Sequence, residues 1–129
     1  MPHLSDWRTR SEPYELIQSA QTNGIRLVLS NFSMAVNSQS DSDVIDFYRL
    51  TFPALISQIQ VNAIHSRIVN ELAAQQDRVL FVDTHSNLDG SYEKFIDVIH
   101  FTQEGRQQLA ENIFAGIKKT LEGDLASSP

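Results

Sequence analysis

Two short apolar runs, separated by a long helical pattern, place the strongest constraint on the fold of this 129-residue chain. The first run covers residues 25–29 and the second covers residues 78–83, and both are apolar at most positions. Such runs are typical of strands that are covered on both faces, as in a parallel sheet. Residues 59–75, which lie between the two runs, show a helical repeat. Because parallel strands need such a crossover, the order predicts an α/β fold.

Other helical patterns lie before and between the two predicted strands. A short amphipathic helix is expected over residues 11–21, capped at Ser11 and ended by Gly24 in the left-handed conformation. A further helical region begins at about Val44 and is broken at Pro53. The full order is therefore helix, strand, helix, strand, helix.

The last helix is predicted to begin after His100, with Thr102 as its N-cap. Its apolar residues recur at helical spacing and include Leu109, Ile113 and Ile117. We expect it to end near Gly123 and to leave residues 124–129 as a frayed tail.

Three loops are expected to meet at one edge of the predicted sheet. One covers residues 30–43, one begins at Thr84, and one carries Asp97 and His100. In open α/β sheets, ligands bind beyond the carboxyl ends of the strands, where such loops converge. The loop of residues 30–43 is long for a connection in a compact domain, which favours a role in binding or catalysis.

An aspartate three residues before a histidine is the main chemical signal in these loops. Asp97 is close enough in sequence to accept a hydrogen bond from Nδ1–H of His100. That bond would fix the tautomer of the ring and leave Nε2 free to take a proton from a nucleophile. The pair therefore predicts two members of a hydrolytic triad.

Composition argues against several other classes of protein. The formal net charge of −6 and the isoelectric point near 5.0 give no support to nucleic-acid binding. The chain has no cysteine and no apolar run of the roughly 18 residues needed to span a bilayer. No signal-peptide pattern is visible, so a soluble protein is expected. The spacing of Asp83, His85 and Asp89 fits no established metal site, and neither a metal nor a cofactor is expected.

The segment Asp97-Val98-Ile99-His100, followed by Thr102 and Gly105, resembles the last motif of the SGNH (GDSL) hydrolases. The resemblance extends over roughly residues 12–121 and implies the family's flavodoxin-like, three-layer α/β/α fold with parallel strands. It also implies an esterase or lipase that acts on a small acyl or acetyl ester. In that role Asp97 would orient His100, and His100 would be the general base.

The chain departs from the family pattern at the nucleophile and at the oxyanion hole. It contains neither the Gly-Asp-Ser motif nor the Gly-x-Asn-Asp motif, and the family's first strands are missing. We therefore expect residues 1–129 to be one domain that corresponds to the C-terminal portion of an SGNH hydrolase. Loss of the triad serine costs on the order of 10⁶ in rate, so the chain alone is expected to be inactive or nearly so.

Other residues near the first predicted strand are weaker candidates. Ser33 is a spare hydroxyl nucleophile, and Phe32, Met34 and Phe101 are candidates to line a substrate pocket. The apolar strand at residues 25–29 would leave an open edge, which predicts pairing with a second copy or with the missing N-terminal half.

Two alternatives to a hydrolase remain open from the sequence. One is a non-catalytic remnant that binds a partner or a ligand through the remaining cleft. The other is an unrelated small α/β binding module in which Asp97 and His100 have a structural role.

Overall fold

The computed structural model describes residues 12–127, in which helices and strands alternate as the sequence predicts. The elements are α1 (Glu12–Thr22), β1 (Leu27–Ser30), α2 (Ser42–Arg49), α3 (Leu55–Ala74), β2 (Val79–Val82), a 3₁₀ turn (Tyr92–Lys94) and α4 (Gln103–Ala126). The α/β class is therefore confirmed. The predicted cap at Ser11 lies outside the described residues.

The two strands form a small parallel sheet, with α2 and α3 in the connection between them. Leu27 pairs with Val79 at one end of the ladder, and Ser30 pairs with Val82 at the other. Over residues 12–127 the sheet has these two strands and no others. Their carboxyl ends lie side by side, which brings the loops after β1 and β2 to the same edge.

Helices pack on both faces of this sheet. Successive side chains of a strand point to opposite faces, and the register puts Val28 beside Leu80 on one of them. These two side chains face Leu121 of α4 across a shared cavity. Leu29 points the other way and shares a second cavity with Leu72 of α3. The helices α3 and α4 therefore lie on opposite sides of the sheet.

The prediction that residues 25–29 are buried by cover on both faces is correct only in part, because helices lie on both faces but their cover of β1 is incomplete. Val28 is 42% exposed, and its neighbours Leu27 and Leu29 are only half-buried. No element within the described part of the chain pairs with the outer edge of β1. The strand also begins two residues later than predicted, because the amide of Ile25 donates to the carbonyl of Ala20 and so completes the end of α1.

The second strand is likewise shorter than its apolar run. Arg78 has a φ of 62°, in the left-handed region, so the extended conformation starts at Val79. The carbonyl of Arg78 still accepts a hydrogen bond from the amide of Leu27, which fixes the start of the parallel ladder.

The helix ends follow the local signals at two positions and differ at a third. Gly24 has a φ of 68° after α1, as predicted, and Pro53 lies in the break between α2 and α3. However, α4 continues to Ala126, three residues beyond its predicted end. The guanidinium group of Arg26 donates to both carboxylate oxygens of Asp124, at 2.6 and 2.7 Å. Residues 124–126 are therefore helical rather than a frayed tail.

Two apolar clusters of the core lie beneath the loops. One is built from Met34, Val36, Leu55 and Ile59, and the other from Ala35, Leu88 and Phe95. The long loop after β1 thus contributes buried side chains to both clusters, which holds it firmly against α3. Within residues 12–127, no helix combines the length and the apolar character needed to cross a bilayer.

Candidate functional site

The loops after the two strands are joined by the side chain of Asn31. Its Nδ2 donates to Oδ1 of Asp83 at 2.8 Å, and its Oδ1 accepts from both the amide and the hydroxyl of Thr84, each at 2.8 Å. Asn31 and Thr84 are both buried. Burial raises the pKa of Asp83, but hydrogen bonds from Asn31 and from the amide of His85, together with the charge of His85, lower it below its usual value overall.

The loop that carries Asp97 and His100 joins the same edge. The amide of Ala35 donates to the carbonyl of Val98 at 2.9 Å, which links this loop to the loop after β1. An antiparallel bridge between Phe95 and Phe101 closes the turn that contains the two candidate residues. The three loops that the sequence predicts to meet therefore do so.

Asp97 forms three hydrogen bonds within this turn, two of them with His100. Its Oδ1 accepts from the amides of Ile99 and His100, at 2.9 and 2.8 Å, and its Oδ2 lies 2.7 Å from Nδ1 of His100. The amide of Ile99, the amide of His100 and then the ring of His100 lower the pKa of Asp97 to about 2. The carboxylate is therefore ionised and fixed in orientation before any substrate binds.

The hydrogen bond to Asp97 leaves the other ring nitrogen of His100 available. Because a carboxylate only accepts, Nδ1 carries the hydrogen, and Nε2 of the neutral ring has a free lone pair. No residue in the described range forms a hydrogen bond with Nε2. The side chain of His100 is 70% exposed, so a proton donor can approach it from solvent.

The start of α4 fixes the position of this turn. Thr102 caps the helix as predicted, since its hydroxyl accepts a hydrogen bond from the amide of Gly105 at 3.1 Å. The amide of Thr102 donates to the carbonyl of Lys94 at 3.0 Å. A Cβ atom at Gly105 would collide with that same carbonyl oxygen. The start of α4 therefore packs against the backbone of Lys94 at a distance that only glycine permits.

An open cavity of about 550 Å³ lies beside the Asp97–His100 pair. It is lined by Phe32, Thr51, Phe52, Gln58, Asp97, Val98, Ile99 and His100. Its walls are mainly apolar, and the two ionisable groups in the lining are Asp97 and His100 themselves. Such a cavity suits an apolar group of a substrate that reacts at the imidazole.

The weaker site candidates from the sequence differ in whether they reach the cavity. Phe32 lines the cavity, whereas Ser33 is 2% exposed and its hydroxyl donates to the carbonyl of Thr84 at 3.5 Å. Met34 is buried in the core. Phe101 packs against the ring of Phe95, with 4.9 Å between ring centroids, and is not part of the lining.

Five lining residues are not among the sequence candidates, and two of them, Val98 and Ile99, lie between Asp97 and His100. Thr51 and Phe52 follow the end of α2, and Gln58 lies in the first turn of α3. The break at Pro53 marks a loop at this point, but the sequence gives no signal that this loop reaches the cavity. Phe52 is 37% exposed in this position.

A second histidine supports one wall of the cavity from behind. Nε2 of His85 lies 2.8 Å from the carbonyl oxygen of Phe32, and the amide group of Asn62 donates to the same oxygen at 2.9 Å. Nδ1 of His85 lies 3.9 Å from Oδ2 of Asp89. Across residues 12–127, no group of three or more histidine, aspartate and glutamate side chains is arranged to hold a metal ion.

Comparison of the chain with protein-family models, curated proteins and solved structures found no match. The chemical features of the site are the Asp97–His100 pair and the apolar cavity beside it.

Proposed function

We propose that this chain carries the general-base portion of an SGNH-type ester hydrolase. The complete enzyme would have a three-layer α/β/α fold with a larger parallel sheet. Asp97 orients the ring, and His100 takes the proton from a nucleophilic serine. The observation that supports this most is the 2.7 Å contact between Nδ1 of His100 and a carboxylate that two backbone amides already fix.

The proposed reaction is acyl transfer from an ester. The serine hydroxyl attacks the ester carbonyl carbon while Nε2 of His100 accepts the hydroxyl proton. The imidazolium ion then gives this proton to the departing alkoxide, and a water molecule repeats the sequence to release the acid. Asp97 stabilises the imidazolium ion in both steps, because its ionised oxygen remains bonded to Nδ1.

In this proposal the serine comes from a further polypeptide segment that adds a strand to the open edge of β1. Support comes from Val28, which is apolar and half-exposed at that edge. Phe32 lies two residues after the end of β1 and lines the cavity together with His100, so the carboxyl end of a strand paired in parallel with β1 would lie near His100. Two copies related by a two-fold axis would pair antiparallel and bring the opposite strand ends together. A further segment is therefore favoured over a second copy at this edge.

A non-catalytic ligand-binding module is the second candidate. The observation that favours it is that Ser33, the predicted spare nucleophile, is buried and bonded to a backbone carbonyl. Thr51 shares the cavity with His100, but its hydroxyl donates to the carbonyl of Tyr48 at 3.3 Å.

Hydrolysis of p-nitrophenyl butyrate by the purified chain tests the proposal. An oriented imidazole beside an apolar cavity should hydrolyse this activated ester slowly but above the buffer rate, without a serine. We expect His100→Ala to return the rate to that of buffer and Asp97→Ala to lower it about tenfold or more. His65→Ala is the matched control, because His65 is also exposed but lies on α3 outside this cavity.

Equal rates for His100→Ala and His65→Ala would contradict the general-base role and favour the binding module. Ser33→Ala and Thr51→Val, measured in the same assay, test the two hydroxyl groups considered above as nucleophiles. We expect neither substitution to abolish the His100-dependent rate. Loss of activity in either would replace the external serine with that residue.

A further inference from the structure

We infer that the cavity beside His100 binds the unbranched hydrocarbon chain of a medium-length acyl group, rather than an acetyl group or a sugar. This inference rests on the proposed function only in placing the ester bond at His100. The class of group that is bound follows from the cavity itself.

The chemistry of the lining selects an apolar ligand. Phe32, Phe52, Val98 and Ile99 form the apolar part of the wall. Outside the dyad, the two polar lining side chains are Thr51 and Gln58, and neither is charged. A sugar presents a hydroxyl group at nearly every carbon, and two uncharged side chains would leave most of these without partners on desolvation.

The size of the cavity argues against an acetyl group. Its volume of about 550 Å³ lies within the usual range for small-molecule sites, roughly 300–1,000 Å³. The single methyl group of an acetyl ester would cover little of this surface. Phe32 is 49% exposed and Ile99 is 41% exposed. Both side chains therefore have apolar surface that a longer acyl chain would remove from water.

The wall is built before any ligand binds. The carbonyl of Phe32 accepts hydrogen bonds from His85 and Asn62, which fixes the backbone that carries the ring. Ile99 precedes His100 in the turn whose shape Asp97 holds through the two backbone amides. Ile99 and the general base therefore belong to one hydrogen-bonded turn, and the backbone of Phe32 is fixed separately. Little backbone ordering is needed there when a chain binds.

Titration of the full chain with sodium butanoate and sodium octanoate, followed by ¹H–¹⁵N NMR, tests this inference. Each methylene that the cavity buries should tighten binding about fourfold. Because the cavity is open on one side, we expect octanoate to bind at least about tenfold more tightly than butanoate. The amide resonances of Phe52 and Ile99 should shift, and those at the far end of α4 should not.

Variants separate a specific cavity from general adsorption. Phe52→Ala should weaken octanoate binding several-fold, and Phe52→Leu should restore most of it. Phe114→Ala is the control, since Phe114 is 56% exposed on α4 and does not line the cavity. Equal affinity for the two acids, or equal weakening by Phe52→Ala and Phe114→Ala, would overturn the inference.

Binding of the free acid requires neither a nucleophile nor turnover. A chain that binds octanoate and lacks the His100-dependent esterase rate would support the acyl site and contradict the proposed function. A chain with the His100-dependent esterase rate and no preference for octanoate over butanoate would support the proposed function and contradict the acyl site.

Discussion

Nε2 of His85 lies 2.8 Å from the carbonyl oxygen of Phe32, so the two histidines near the cavity are held in opposite tautomers when neutral. A carbonyl only accepts, which places the hydrogen of His85 on Nε2. The carboxylate of Asp97 places the hydrogen of His100 on Nδ1. One ring therefore supports the wall of the cavity, and the other is part of the cavity lining and has an unprotonated Nε2.

Gly105→Ala should destabilise the fold, because the new methyl group would meet the backbone carbonyl oxygen of Lys94. Backbone cannot move aside cheaply, and we expect a loss of about 1–3 kcal/mol in the free energy of unfolding. Denaturant titration measures this loss. The turn that carries Asp97 and His100 should also shift, since Thr102 bonds to the same carbonyl.

Gly123→Ala is the matched control for this substitution. A Cβ atom at Gly123 meets nothing within 4 Å, and the residue lies inside α4. Alanine is the better helix former, so this variant should be more stable than the parent, by about 0.5–1 kcal/mol. Equal effects at the two glycines would contradict the close packing at Gly105.

The pKa of Asp97 gives a prediction for the acid range. It is lowered from 3.8 to about 2 by the amides of Ile99 and His100 and by the ring of His100. The ionised group therefore favours the folded state. This contribution is fully present above pH 3.8 and is lost as the pH falls through about 2. We expect the side-chain carboxyl carbon of Asp97 to titrate near pH 2 by ¹³C NMR, together with the amide of Ile99.

Asp97→Asn provides the control for that titration. The variant has no ionisable group at this position, so the response of the Ile99 amide in this pH range should disappear. A carboxyl midpoint at 3.8 in the parent chain would show that the hydrogen bonds to Asp97 are absent in solution.

Asn31→Ala should weaken the connection between the loops after β1 and β2. It removes a buried side chain that bonds to Asp83 and twice to Thr84, and it leaves the amide of Thr84 without its acceptor. We expect a loss of about 2–3 kcal/mol in the free energy of unfolding. The exposed Asn70 on α3 is the control, and its substitution by alanine should change stability by no more than about 0.5 kcal/mol. Similar losses at both positions would contradict this role of Asn31.

Sequence reasoning succeeded where the deciding interactions are local. The cap at Thr102, the left-handed Gly24 and the Asp97–His100 contact each involve residues three or four positions apart, or one residue alone. The α/β order followed from apolar runs and helical periodicity, which are also local patterns.

The remaining features depend on contacts between distant parts of the chain. Thr51 and Phe52 reach the cavity only because α2 and α3 bring them to a loop nearly fifty residues away in sequence. The burial of Ser33 depends on Thr84, and the helical end of α4 includes a pair between Arg26 and Asp124. The exposure of β1 depends on which other elements pair with it and pack against it. The residues of β1 alone do not determine those contacts.

Long-range ¹H–¹⁵N NMR of the histidine rings, at a pH where they are neutral, tests the central claim most directly. The account predicts that His100 carries its hydrogen on Nδ1 and that Asp97→Asn abolishes this preference. His85 should carry its hydrogen on Nε2 in both proteins. If His100 instead shows the Nε2–H tautomer in the parent chain, its ring is not oriented by Asp97 and cannot present the free Nε2 that the proposed general base requires.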